Sequence, residues 1–444
     1  MAKNLKQAVA EFWINQPKWI FGNRPMNTFS IFYPKDSRMW KSSCHKCYNN
    51  GMEVIGEAYE KSKELLKTLA TESGFVASMQ DTTNYKRVWA RDSIIAGLSG
   101  VFCGDSALIT AFENSLRTLR KFQDETGRIP SNVSVEEGKV SYGTTVGRID
   151  ATLWYVIGVC QMALITGNKA FFIEFKDSIE KSIFYLKCLE LNGRGFLYIP
   201  QGGDWADEYI NHGYVLYDQI LYYFALTFYS KCTEDPATTQ KKDYVRELIK
   251  VNFLPKAEYS GGSHVYHKAL YEIGLKEYKP PLPVAYFSNH SIRFHVDTFA
   301  CGLLLLSDIA PDEENVAIRE KLVELAKHNV FPIMPSFHPV ISQGDHNWDH
   351  LKRSAIFEFR NDPHEYQNGG LWPLVHGFFV SSFPKKEGEK KLEAFARTLQ
   401  EDGYIFPEYY SGKTFEPKGI MRHGFSAAAY IIAYEGVVNG KRLF

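Results

Sequence analysis

The stretch IDATLWYVIGVCQMALITGNKAFFIEFKDSIEKSIFYLKCLE, residues 149–190, holds two helices of opposite character. From 149 to 166 apolar residues fall on nearly every face, and a helix apolar all round has to be buried. Thr166-Gly167-Asn168 then breaks the pattern with residues suited to a helix end. From 169 to 190 apolar positions recur at three and four, with Lys and Glu on the other side, so this helix faces water.

The same alternation runs outward in both directions. Segments 92–102, 214–228, 294–307, 369–381 and 423–435 are rich in small or apolar residues, whereas 106–122, 238–252, 313–330 and 387–401 carry a charged stripe. A further amphipathic helix is predicted at 52–71, and no convincing period-two strand appears. Buried and exposed helices in alternation describe a double ring, the all-α (α/α)6 barrel, spanning 51–444 as one domain. Residues 1–50 read as an irregular extension packed on it.

Composition narrows the partners. Fifty-one Lys and Arg balance fifty-one Asp and Glu, with no basic stripe, which argues against nucleic acid and against a polybasic membrane surface. The N-terminus lacks an apolar core of signal-peptide length, and no apolar run reaches the ~20 residues of a membrane span, so a cytoplasmic location is expected. Seven cysteines, an odd number scattered along the chain, fit reduced thiols. Cys44-His45-Lys46-Cys47 has no second ligand pair, so no metal is expected. Aromatic residues make up 15% of the chain; most fill the core, but an excess also suits stacking on sugars. Oligomeric state is not legible.

Long non-helical stretches at 75–91, 124–147, 192–212, 255–293, 332–368 and 403–422 flank the ends of the buried helices, where loops of this length are usually functional. Four carry carboxylates in aromatic settings. Asp150 opens a buried helix beside Arg148 and one turn before Trp154; alone it reads equally as a helix cap. Asp92 follows Trp89 and Arg91, and reads either as a bidentate acceptor for hydroxyls or as half of an internal salt bridge. Asp204, Trp205, Asp207 and Glu208 follow two glycines, an unusual cluster for a plain surface loop. Glu408 and Tyr409 sit in the turn FPEYYSG, where apolar surroundings can shift a carboxyl. Trp372, Arg422 and His423 stand before further buried helices and read as pocket wall or as packing. No phosphate loop, dinucleotide fingerprint, nucleophile elbow or H-E-x-x-H occurs.

Taken in order, these segments resemble the (α/α)6 glycosidases related to the amylo-α-1,6-glucosidase domain of glycogen debranching enzymes, and the alkaline/neutral invertases. Trp89–Ser93, Gly127-Arg128-Ile129-Pro130, Asp150–Trp154 and Thr166-Gly167-Asn168 look like the debranching pattern. Gly369–Pro373 and Pro407–Gly412 look like the invertases' G-G-x-W-P and P-E-Y-Y-D-G, with Ser411 replacing the Asp. The resemblance implies an inverting glycoside hydrolase acting on a terminal, α-glucosyl unit. It implies Asp150 as general acid, Glu408 as general base, Asp92 as a grip on the sugar, and Asp204, Trp205 and Asp207 as a substrate loop. It implies no cofactor. Inversion requires the two carboxyls to face one cavity ~6.5–9.5 Å apart, and Asp150→Asn is expected to abolish turnover. At 213–219, GYVLYDQ departs from the invertases' Gly-hydrophobic-Glu-Ile-Gln, which puts sucrose cleavage in question. Two other readings stay open: a sugar 2-epimerase working through paired histidines on the same barrel, and a barrel that binds sugar without turnover.

Overall fold

The computed structural model describes residues 44–444 except 81, 83, 144, 328–330, 356 and 357, with side chains from 51 onward. Two compact units divide at Tyr48 and Asn49, and the account below concerns the second. The expectation for residues 1–43, and the Cys44 and Cys47 side chains, lie outside the described residues. Helix α1, Cys44–Leu69, begins within the segment read as irregular and eight residues before the predicted start at 52.

Six helices are buried along most of their length: α2 (Ala90–Cys103), α4 (Ile149–Thr166), α6 (Leu216–Thr233), α9 (Thr298–Leu305), α12 (Pro373–Ser381) and α14 (Gly424–Val437). They form a closed ring. Each packs on the next, and α14 returns to pack on α2. Outside it, α3 (Ser106–Lys121) lies on α2, α5 (Lys169–Cys188) on α4, α7 (Pro236–Phe253) on α6, α10 (Asp312–Lys327) on α9, and α13 (Lys385–Glu401) on α12 and α14. Helix α1 joins this outer layer against α14, where the Tyr430 hydroxyl donates to the Ile55 carbonyl and the Tyr59 hydroxyl to Glu435.

Burial follows the sequence pattern. Helix α4 is apolar and long enough to cross a membrane by length and composition, contrary to the sequence expectation, but 83% of it is buried inside the protein. At Gly97 the Phe112 ring of α3 packs so close to α2 that a Cβ would stand 1.9 Å from it, so glycine is needed there. Two short helices, α8 (Lys268–Glu277) and α11 (Trp348–Arg353), interrupt loops read as irregular. Strands exist as well, all of two or three residues; they tie loops together at the N-terminal ends of the ring helices, for example Val88–Trp89 with Asn132–Ser134 and Tyr409–Tyr410 with Pro417–Lys418.

Candidate active site

A cavity of about 660 Å³ opens where the ring helices begin. Residues at or near the start of four of them line it: Trp89, Arg91 and Asp92 for α2, Arg148 for α4, Trp372 and Leu374 for α12, and His423 and Phe425 for α14. Loops add Tyr85, Arg87, Asn132, Trp205, Asp207, Glu208, Arg360, Tyr366 and Glu408.

Glu408 is held by two residues, Tyr85 and Ile420. The Tyr85 hydroxyl stands 3.1 and 3.2 Å from its two oxygens, and the Ile420 amide donates to Oε2 at 3.3 Å. The Glu408 amide in turn donates to the Ile420 carbonyl, so the hairpin 408–420 clamps the residue by backbone and side chain together. Burial pushes its carboxyl up to about 7; the Arg360 cation opposes that. Gly419, with φ +69°, backs the carboxylate, and a Cβ there would lie 2.2 Å from Oε2.

Asp207 comes from the loop 200–212. Arg148 reaches it at 2.5 Å, and the Gln367 amide donates to its other oxygen at 3.1 Å. Burial pushes the carboxyl up, but Arg148 and then Arg91 outweigh it and hold Asp207 below the ordinary carboxylate range. Arg148 also donates to the Gly202 carbonyl, so one guanidinium fixes both the loop and its acid. Arg360 makes a bidentate pair with Glu208 and lies 3.9 Å over the Tyr366 ring; its charge acts on both Asp207 and Glu408.

Asp92 and His423 form a second polar pair, 3.5 Å apart. Burial raises Asp92 to about 6 against the pull of Arg91. Burial, helped by Arg91, lowers His423 to about 3, so the imidazole is neutral at ordinary pH. Trp205 and Trp372 meet edge to face at 5.6 Å and make an aromatic corner. Their ring N–H groups are spent on Asp297 and on the Tyr366 carbonyl, which fixes both orientations.

Ten of the residues read from sequence line this cavity: Trp89, Arg91, Asp92, Arg148, Trp205, Asp207, Glu208, Trp372, Glu408 and His423. Five do not. Asp150 is the consequential one among them. It is 1% exposed and lies away from the cavity lining. Arg148 caps α4 instead, and the Asp150 carboxylate is taken up by Arg91 at 2.6 Å and by the Tyr217 hydroxyl at 3.3 Å. Trp154 is fully buried and donates to Tyr217, so it is packing. Asp204 is fully buried and bonds Ala206 and Asn211, shaping the loop that presents Asp207. Tyr409 stacks behind Trp372 at 5.8 Å. Arg422 takes a left-handed backbone before α14 and stays outside the lining.

Sequence reasoning missed Tyr85, Arg87, Arg360, Tyr366 and Gln367. Tyr85 and Arg87 stand four and two residues before Trp89, in the same polar-aromatic run, and could have been read with it. Arg360 to Gln367 carried no signal short of the fold. Among the described residues no cluster of metal-ligating side chains occurs.

No protein-family model matches the chain. No curated protein matches it. Solved structures do. A wild-type glycosidase covers 88% of this chain and 98% of its own, with TM-score 0.58 at 14% identity. A variant glycosidase in complex with glucose gives TM-score 0.59 at 13% identity over 88% of this chain and 98% of its own. A GH63 mannosylglycerate hydrolase from Thermus thermophilus, in complex with Tris and D-glycerate, gives 0.56 at 13% identity over 84% of this chain and 99% of its own. The likeness is one of fold.

Proposed function

We propose that this chain is a glycoside hydrolase on an (α/α)6 barrel, cleaving a terminal hexosyl unit, α-glucosyl in the first instance, from a small glycoside with inversion. The observation that carries the reading is that Asp207 and Glu408, far apart in sequence, line one aromatic, polar cavity. Cleavage needs an acid at the leaving oxygen and a base on the water that attacks the opposite face. Glu408, near 7 and braced by Tyr85 and Ile420, is poised as a base at neutral pH. The acid role, read from sequence onto Asp150, passes to Asp207, because a proton donor must reach the glycosidic oxygen and Asp150 does not reach the cavity.

The sugar ring rests in the corner of Trp205 and Trp372, with Asp92 and Arg91 offering an acceptor and donors to its hydroxyls. Before substrate binds, the single proton of the acid–base pair belongs on Glu408, since Asp207 is held ionised by Arg148. A glycosidic oxygen arriving at Asp207 competes with that guanidinium, and loosening the ion pair brings the proton to the aspartate. The same proton order favours a second reading, with Glu408 as acid and Asp207 as base.

An epimerase is disfavoured by one feature. It needs two histidines at the sugar, and among the described residues His423 is the one histidine in the lining. His290, His295, His346, His350 and His376 lie elsewhere.

The test is a screen of maltose, isomaltose, trehalose, sucrose, limit dextrin and glucosylglycerate, followed by NMR. The names of the structural neighbours support the small hexosides, and the resemblance to debranching enzymes and invertases supports dextrin and sucrose. Release of glucose first as the β-anomer is expected. Binding without cleavage, or a changed stereocentre with the linkage intact, defeats the reading.

A further inference from the structure

A second cavity, of about 560 Å³, lies at the opposite end of the ring, between the C-terminal parts of α6 and α9, the start of α10 and the segment around Arg442. One wall is apolar, built from Phe224, Phe228, Leu305, Leu306, Val316 and Phe444. The other carries three cations, Lys231, Arg319 and Arg442. None of the three makes an ion pair among the described residues, although Asp308 and Asp312 line the same cavity. Asp308 is already occupied, by the Tyr223 hydroxyl and by Arg246 at 3.7 Å.

Two buried polar atoms are left without partners on this wall. Arg319 Nε is a donor with nothing to donate to, and Asn315 Oδ1 is an acceptor with no donor, on a side chain only 8% exposed. The Asn315 amide nitrogen is fixed on the Ala310 carbonyl, so Oδ1 cannot turn away to find another bond without breaking that one. Unsatisfied buried groups are costly and are kept where something fills them. Burial and the neighbouring Arg442 also hold Arg319 below its ordinary pKa, with Glu387 opposing, which an anion would relieve.

We propose that this cavity binds a small anion with an apolar body, an aryl phosphate or aryl carboxylate, at a site separate from the catalytic cavity. The anionic head sits between Lys231, Arg319 and Arg442, with Arg319 Nε donating to it. The ring lies against Phe228 and Phe444, and a hydroxyl on the ligand or a water held by it donates to Asn315 Oδ1. This inference is independent of the glycosidase reading, since it uses no residue of that site.

The test is calorimetric titration and thermal shift of the full chain with phenyl phosphate, with inorganic phosphate and phenol as the head and body alone. Phenyl phosphate is expected to bind more tightly than either part and to raise the melting temperature. Arg319→Gln should weaken it about tenfold or more, as for loss of one charge-assisted hydrogen bond. Lys231→Gln, an exposed change that leaves folding untouched, should weaken it and steepen the loss at high salt. Arg87→Gln, in the first cavity, should leave it unchanged. No binding of phenyl phosphate at millimolar concentration overturns the proposal. So does binding that survives Arg319→Gln and Lys231→Gln or is lost in Arg87→Gln.

Discussion

Asp150 Oδ2 stands 2.6 Å from Arg91 Nη1, and of the two only Arg91 reaches the cavity. The aspartate therefore acts through the arginine, which it holds against α4. Asp150→Asn is expected to keep measurable turnover, whereas Asp207→Asn should lose roughly 10²–10⁴-fold, the usual worth of a proton donor. Asp150→Ala leaves the half-buried Arg91 guanidinium without its partner and should cost about 1–3 kcal/mol in urea unfolding. Equal loss of kcat in both Asn variants, with stability intact, would return Asp150 to the chemistry.

The division of labour between Asp207 and Glu408 is open to a direct measurement. An α-glucosyl fluoride leaves without protonation, so an enzyme lacking its acid still cleaves it, whereas one lacking its base does not. Asp207→Asn should retain much of its rate on the fluoride, and Glu408→Gln should lose it. The reverse outcome exchanges the roles.

Activity should fall with rising pH through about 7. The working pair carries one proton, and that proton is lost when Glu408, raised to about 7 by burial, ionises. The lower limb of the kcat/KM profile belongs to Asp207, which Arg148 and Arg91 hold down. Arg148→Gln should therefore move the lower limb upward and leave the upper one near its place.

The same groups predict a stability cost. Glu408 in the fold keeps its proton to about 7 instead of the usual 4.5, and Asp92 to about 6 instead of 3.8. The folded state then binds more protons than the unfolded one, so these contributions are present at low pH and are lost as pH rises through that window. Glu408→Gln should be more stable than wild type at pH 8, by on the order of 3 kcal/mol, and level with it at pH 4. Denaturant midpoints across pH measure this; a constant difference would show that burial is not the cause.

Gly419 should tolerate no side chain. At φ +69° with a Cβ 2.2 Å from Glu408 Oε2, Gly419→Ala has to push the carboxylate from its place. A large fall in kcat with KM little changed is expected. Wild-type kcat in Gly419→Ala would mean Glu408 need not sit where the hairpin holds it.

The ring was legible because its helices are apolar on nearly every face, as in 149–166, and their partners carry stripes, as in 106–122. Trp89, Asp92, Arg148, Trp372 and His423 were legible for a related reason, since every one stands within the cap or first turn of a ring helix, where the cavity lies. What the pattern could not supply was rotation. Asp92 and Asp150 both fall in first turns, but Asp92 is the third residue of α2 and Asp150 the second of α4, a difference of about 100° around the axis. One reaches the cavity and the other reaches Arg91. Arg360 and Gln367 were illegible because their place depends on Glu208 and Asp207, far away in sequence.

Helix α14 packs on both α12 and α2, so the circle is completed by the last ring helix meeting the first. A ribosome makes α2 some three hundred residues before its partner exists. Until residues 424–437 emerge, the growing chain is an open arc with an apolar edge at each end, the kind of exposed surface that chaperones hold and that aggregates. Stop codons placed before α14 should thus give insoluble product rather than a smaller working protein.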